Sequence, residues 1–215
     1  MFKNRKDAGE KLAKALEKYK AEKPLILAIP RGGVEVGLQV AKKLNADFSL
    51  IIARKLPFPD NPEAGFGAIA ENGSTFILEN AYYWLSGENI EKIKQQQIAE
   101  IERRVKVLRG EHPLPEIKGR TVILIDDGIA MGSTMRAAIE LCKKRGTRKI
   151  VVAVPVAGRE VAEEIGNKVD ELVVLEIPRY FRAVAESYEK WYDVTDEEVL
   201  DLLREDVREK KADKS

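Results

Sequence analysis

The chain is 215 residues long and, with 37 Lys+Arg against 36 Asp+Glu, carries a formal net charge of +1; its size suits one domain, or one domain with a small appendage. A hydrophobic content of 44 % excludes a disordered chain, the one cysteine (Cys142) excludes an internal disulfide or a multi-cysteine metal cage, and the single histidine (His112) leaves no multi-histidine site. The balanced charge disfavours nonspecific nucleic-acid binding, no apolar run approaches the ~20 residues of a membrane span, and the charged first twenty residues lack a signal-peptide core, so a cytoplasmic protein is expected.

In chain order, residues 8–20 place Leu12, Ala15, Leu16 and Tyr19 on one helical face. LILAI at 25–29 reads as a buried strand closed by Pro30-Arg31-Gly32-Gly33, followed by a helix over 34–44 and a second strand over 48–53. Residues 55–75, rich in proline and glycine, predict an irregular loop with a short strand at 66–70. A long helix over 88–109 carries Ile98, Ile101, Val105 and Leu108 as its stripe. Strands at 121–125, 149–154 and 171–175 then alternate with helices at 132–145 and 158–166. A last helix opens on a capping box, Thr195 with Glu198, and beyond Arg204 a charged tail is expected to fray. Strands that are apolar throughout, with helices between them, predict an α/β fold: a parallel twisted sheet flanked by helices on both faces. The ligand of such a sheet lies at the carboxyl ends of its strands.

The chemistry concentrates in VILIDDGIAMGST at 122–134. A buried strand ends in Asp126 and Asp127, and a small-residue turn then leads into a helix. Free amides at such a turn, with the helix dipole, suit a phosphate, and Ser133 and Thr134 add hydroxyl donors. No GxxxxGK[ST] motif occurs, so a P-loop ATPase is excluded. Two acids would repel a polyphosphate; they suit a ligand with hydroxyls or a metal at one end and one phosphate at the other. Ribose 5-phosphate has that layout, with its diol on Asp126 and Asp127 and its phosphate on residues 129–134. The bland alternative is an acid pair beside an ordinary helix start. Likewise, Arg31, Gly32 and Gly33 can form a pyrophosphate cradle of bare backbone and one forked donor, or an ordinary strand-to-helix turn.

The segment 122–134 resembles the phosphoribosyl pyrophosphate signature of type I phosphoribosyltransferases. IPRGG at 29–33, RKL at 54–56, NPEAGFGAIAENG at 61–73 and AVAESYEKWYDVTDEEV at 183–199 are similar to a subgroup with no established acceptor. The resemblance implies one phosphoribosyltransferase domain over 1–215, with an inserted helical segment at about 80–110 and a C-terminal hood and helix at about 177–207. It implies catalytic roles for Arg31, Lys55, Asp126 and Asp127, and a 5-phosphate site at Ile129, Ala130, Met131, Gly132, Ser133 and Thr134. Arg31, Gly32, Gly33, Arg54 and Lys55 would contact pyrophosphate, with a cis peptide at Pro30–Arg31, and residues 57–73 would form a mobile lid. Mg²⁺ would be held mainly by the phosphoribosyl pyrophosphate, with Asp126 and Asp127 as candidate ligands. A homodimer is expected. Met131 departs from the usual threonine or small residue, and Ala130 stands where hypoxanthine-guanine enzymes carry an acid.

The acceptor, a nucleobase-like small molecule, is expected on the aromatic-rich stretch after residue 177, with Phe181 or Tyr188 stacking on it; packing of those rings against the domain is the other reading. Glu71 is a weak candidate for proton acceptor. Cys142 is expected to pack as a small hydrophobe and His112 to be exposed. Phe2 in place of a nucleophilic cysteine speaks against a glutamine amidotransferase. Two further functions stay open: a non-catalytic phosphoribosyl pyrophosphate or nucleotide sensor, and a Mg²⁺-dependent hydrolase. The charged fraction of 34 % predicts a heat-adapted surface of ion-pair networks.

Overall fold

The computed structural model describes residues 1–110 and 112–212. Asn4 caps the first helix, α1 (Arg5–Ala15), by accepting from the Asp7 amide, and a 3₁₀ turn follows at Glu17–Glu22. The main sheet then begins with β1 (Leu25–Ala28), α2 (Gly33–Leu44) and β2 (Asp47–Leu50). Three strands follow outside it: β3 (Ala53–Phe58), β4 (Asn61–Ala70) and β5 (Thr75–Ile77). The short α3 (Ala81–Trp84) and the long α4 (Gly87–Arg109) lead back to the sheet. There β6 (Thr121–Ile125), α5 (Ser133–Lys144), β7 (Lys149–Val156), α6 (Arg159–Gly166) and β8 (Glu171–Glu176) alternate, and α7 (Asp196–Ala212) ends the described chain.

The five-stranded sheet has the order β2-β1-β6-β7-β8 and is parallel throughout. Alternate side chains explain its two covers. Ile26, Ile123, Ile125, Val151 and Ala153 pack under α1 and α2. Leu25, Leu27, Val122, Leu124 and Val152 pack under α5 and α6. The chain therefore leaves β1 toward one face and β6 toward the other. Adjacent strands whose connections diverge open a crevice at their carboxyl ends, and residues 29–33 and 126–134 meet there.

The expectation of an irregular loop at 55–75 is corrected. Apart from its tight turns, that stretch is an antiparallel three-stranded sheet with register shifts between Leu56 and Phe58. The glycines that read as loop signals mark close backbone approach instead: a Cβ on Gly67 would lie 2.2 Å from the Phe76 carbonyl oxygen. One face of this sheet meets α5, and the other lies under α4, whose Ile90, Ile93, Ile101 and Leu108 close a second core with Leu56, Phe66, Ile69 and Val199 of α7. The capping box at Thr195 forms: the Thr195 amide donates to Glu198 Oε2 at 2.7 Å, and the Glu198 amide to Thr195 Oγ1 at 3.1 Å. Past Arg204 the helix continues to Ala212 rather than fraying; residues 213–215 lie outside the described chain. Cys142 is fully buried, which pushes its thiol up to about 12 and leaves it unreactive, and His112 is exposed. No helix among the described residues is long and apolar enough to cross a membrane.

Candidate active site

At the carboxyl end of β6 the chain turns into α5 and lines a cavity of about 290 Å³ with Asp126, Gly128 to Met135, and Lys55 and Gly65 of the hairpin; Val184 closes one side. The backbone of this turn is unusually open. The amides of Ala130, Met131, Gly132, Ser133, Thr134 and Met135 donate to no acceptor among the described residues, and no side chain caps α5. Gly132 takes φ +71°, a left-handed conformation that lets the turn curl into the helix start. Buried Arg136 holds the turn from behind by donating to the Met131 carbonyl at 2.5 Å, while its guanidinium lies over Phe76 and pairs with Glu164. In a trans peptide the carbonyl and the following N–H point oppositely, so this bond turns the Gly132 amide away from Arg136. Met131, 57 % exposed, costs the turn no amide: the side chain departs from the expected pattern and the backbone keeps its donors.

The two acids are not equivalent. Asp126 lines the cavity, and its Oδ1 accepts the Asp127 amide at 2.8 Å. Asp127 points away, toward Arg5 at the start of α1, whose Nε donates to its Oδ2 at 2.8 Å. Arg5 is 3 % exposed; it also donates to the Tyr192 carbonyl at 3.0 Å and stacks 4.0 Å from the Trp191 ring centroid. Burial, reinforced by the Asp127 charge, holds the Asp126 carboxyl well above the usual carboxylate range. Burial also raises Asp127, opposed by the charge and hydrogen bond of Arg5.

The Gly-Gly of the first loop belongs to this acid pair. A Cβ on Gly32 would fall 1.8 Å from Asp127 Oδ2, and one on Gly33 would fall 2.9 Å from Asp126 Cα. The Pro30–Arg31 peptide is cis, as expected. Arg31 itself faces Asp196 at the start of α7, with Nη1 3.8 Å from Oδ1. Arg54 and Lys55 do not share a surface as expected, because neighbouring strand residues point to opposite faces. Lys55 lines the cavity; Arg54 faces α4, where its Nε meets Gln97 Oε1 at 3.3 Å. There burial, and next the charge of Arg104, lowers the Arg54 pKa.

Phe181 and Tyr188 also separate. Phe181 lines a neighbouring cavity. Tyr188 is corrected as a stacking platform: it is 5 % exposed, packed between Phe2 and Trp191, and its hydroxyl donates to the Asp127 carbonyl at 2.6 Å. Glu71 is corrected as a proton acceptor. It is buried against Arg109, which donates to both its oxygens at 3.0 and 2.5 Å, and it accepts the Ile52 amide.

A model described as the phosphoribosyl transferase domain matches residues 2–189. The chain belongs to the phosphoribosyl transferase domain family. A Mycobacterium tuberculosis protein, provisionally named a phosphoribosyl transferase in strains CDC 1551 and H37Rv, is 34 % identical over 206 residues, covering 94 % of this chain and 46 % of the relative. The chain thus spans about half the length of the curated relatives it matches. The crystal structure of TT1426 from Thermus thermophilus superposes with a TM-score of 0.80 at 36 % identity, covering 95 % of this chain and 98 % of that one.

Two residues that brace the candidate site are ones the sequence analysis does not single out. Arg5 continues the buried face of α1 at spacings of 3 and 4 to Ala8 and Leu12, but it precedes the stretch 8–20 that reads as a helix, and its partner lies 122 positions away. Arg136 follows the turn directly, yet reads as one more basic helix residue. An arginine at an apolar-face position of its helix is the signal that could have found each of them.

Proposed function

We propose that this phosphoribosyl transferase domain binds 5-phosphoribosyl 1-pyrophosphate with Mg²⁺ and transfers the phosphoribosyl group to a nucleobase-like acceptor, releasing pyrophosphate. The observation that carries the reading is the row of six unpartnered amides beside an open carboxyl in one cavity. The amides from Ala130 to Met135, with the hydroxyls of Ser133 and Thr134, bind the 5-phosphate. Asp126 accepts from the ribose diol, and Asp127, braced by Arg5, orients the Asp126 carboxyl by donating its amide to Oδ1. Lys55 and the backbone of Gly32 and Gly33 take the pyrophosphate; Arg31 joins them by exchanging Asp196 for the incoming anion. Arg54 acts from behind as part of the same positive field.

A ring nitrogen of the acceptor attacks the anomeric carbon as the bond to pyrophosphate oxygen breaks. The electron pair leaves on pyrophosphate, the configuration inverts, and the proton of the acceptor N–H passes to solvent. Lys55 and the loop amides stabilise the charge that grows on the leaving group. Among the described residues the cavity offers one carboxylate, Asp126, which suits a hard cation carried in on the phosphate oxygens; Asp127 faces Arg5 instead of the cavity and is set aside as a ligand. Mg²⁺, when bound, neutralises pyrophosphate oxygens.

Asp126→Asn keeps the shape and removes the charge-assisted acceptor. It is expected to weaken donor binding by about 10- to 140-fold, the equivalent of about 1.5–3 kcal/mol, measured by calorimetry with Mg²⁺. Unchanged affinity would refute the assignment. A nucleobase panel with labelled donor, scored for pyrophosphate release, tests transfer itself; donor binding with no release toward any acceptor would make the chain a sensor. Heat adaptation is part of the proposal. Glu100 receives Arg103 at 2.8 Å and Arg104 at 3.1 Å, and Arg103 reaches Asp196 at 3.2 Å, a network tying α4 to α7. A melting midpoint above about 60 °C is expected, by calorimetric scan.

A further inference from the structure

A second cavity, of about 330 Å³, lies across the phosphate turn from the first. Its walls come from the loop after β7 and the segment after β8, and Ala130 lines both cavities. Two backbone bonds tie the turn to the loop after β7: the Ile129 amide donates to the Val156 carbonyl at 2.9 Å, and the Gly158 amide donates to the Ile129 carbonyl at 3.3 Å. Phe181 covers bare backbone at Gly158, where a Cβ would stand 3.2 Å from its ring. A planar molecule seated there has an aromatic wall on one side and the donor turn on the other.

The charges lining this cavity are Arg159, Arg179 and Glu160. None is in an ion pair or a side-chain hydrogen bond with any described residue, and they do not pair with one another. The Arg179 guanidinium lies 5.7 Å from the Tyr180 ring centroid. A neutral base seated on Phe181 would give these exposed guanidiniums no anionic partner, and the two of them outnumber the one carboxylate, Glu160, among the described residues of the same wall. A carboxylate returns two oxygens that match the forked N–H donors.

We propose that this cavity is the acceptor subsite and that it selects a heterocycle bearing a carboxylate, gripped by Arg159 and Arg179 with its ring on Phe181. The inference rests on the phosphoribosyl transfer reading and narrows its acceptor class.

The test uses matched pairs that differ in the anionic group: orotate against uracil, and nicotinate against nicotinamide. Each is titrated calorimetrically into the full chain saturated with ribose 5-phosphate and Mg²⁺, and each is offered with labelled donor while pyrophosphate release is followed. The carboxylated member of at least one pair is expected to bind about tenfold tighter or better and to be the better acceptor. Arg159→Gln and Arg179→Gln, both at exposed positions, are expected to erase that preference while donor affinity and melting midpoint stay in place. Neutral members binding as well as carboxylated ones in both pairs would overturn the proposal, as would a preference that survives both substitutions. Failure of the donor to bind, read in a separate titration, would instead overturn the transfer reading.

Discussion

Replacing Arg5 with methionine is expected to lower the unfolding free energy by about 3–5 kcal/mol, because it leaves the Asp127 carboxylate buried without its partner. Methionine fills much of the volume under Trp191, so the loss reports the charge rather than a void. The pH dependence distinguishes the two. Arg5 is the principal influence lowering the Asp127 pKa against burial, so its removal raises that pKa further above the unfolded value. A carboxyl raised in the folded state stabilises it in the protonated form, and that contribution is lost as pH rises through the folded pKa. The deficit of the variant is therefore expected to narrow in urea melts at about pH 5 and widen at about pH 8; an equal deficit at both would assign the loss to packing. Donor affinity should also fall away on the acid side at a higher pH than in the parent. Arg5→Lys, which restores the charge without the fork, is expected to recover part of the stability.

Gly32→Ala is expected to abolish most donor binding, by about 100-fold or more, with a stability cost of about 1–3 kcal/mol. The added methyl would lie 1.8 Å from Asp127 Oδ2, 2.5 Å from Cγ and 3.1 Å from Arg5 Nε, so the loop or the acid must move. Either movement separates the first loop from the acid pair. Gly87→Ala provides the control: nothing stands within 4 Å of its Cβ, and a helix start gains about 0.5–1 kcal/mol from losing glycine. Calorimetric donor titrations on both variants decide the matter. A Gly32→Ala chain that binds donor as the parent does would show that the loop tolerates displacement.

The parallel sheet was legible because its central strands are apolar on both faces: residues 121–125 and 149–154 between amphipathic helices read as buried strands. The phosphate turn was legible because a strand, two acids and small residues before a helix leave few other uses. The hairpin was not. Its glycines and prolines carry the composition of a loop, and the close approach of Gly67 to the Phe76 carbonyl and of Gly65 to the Lys55 side chain, visible once the strands pair, shows why the sheet takes glycine there. The division of labour between Asp126 and Asp127 was also hidden, since adjacent identical residues differ only in what lies opposite each. For Asp127 that is Arg5, and for its carbonyl it is Tyr188, both far off in the chain. Arg54 and Lys55 show the converse: their opposite orientation follows from strand alternation once a strand is recognised there, and a loop assignment conceals it.

The amide of Phe2 donates to the Ser187 carbonyl, and the Glu189 amide donates back to Phe2, so the start of the chain is stitched to the segment that follows the last strand of the sheet. Arg5 meets Asp127 across 122 positions and the Tyr192 carbonyl across 187. Contacts this distant in sequence form late and slowly. A chain without residues 188–192 keeps all five strands of the sheet yet loses the Tyr188 hydroxyl on the Asp127 carbonyl, the Trp191 ring over Arg5 and the Tyr192 carbonyl that Arg5 donates to, so the acid pair is finished by a segment outside the sheet it stands on.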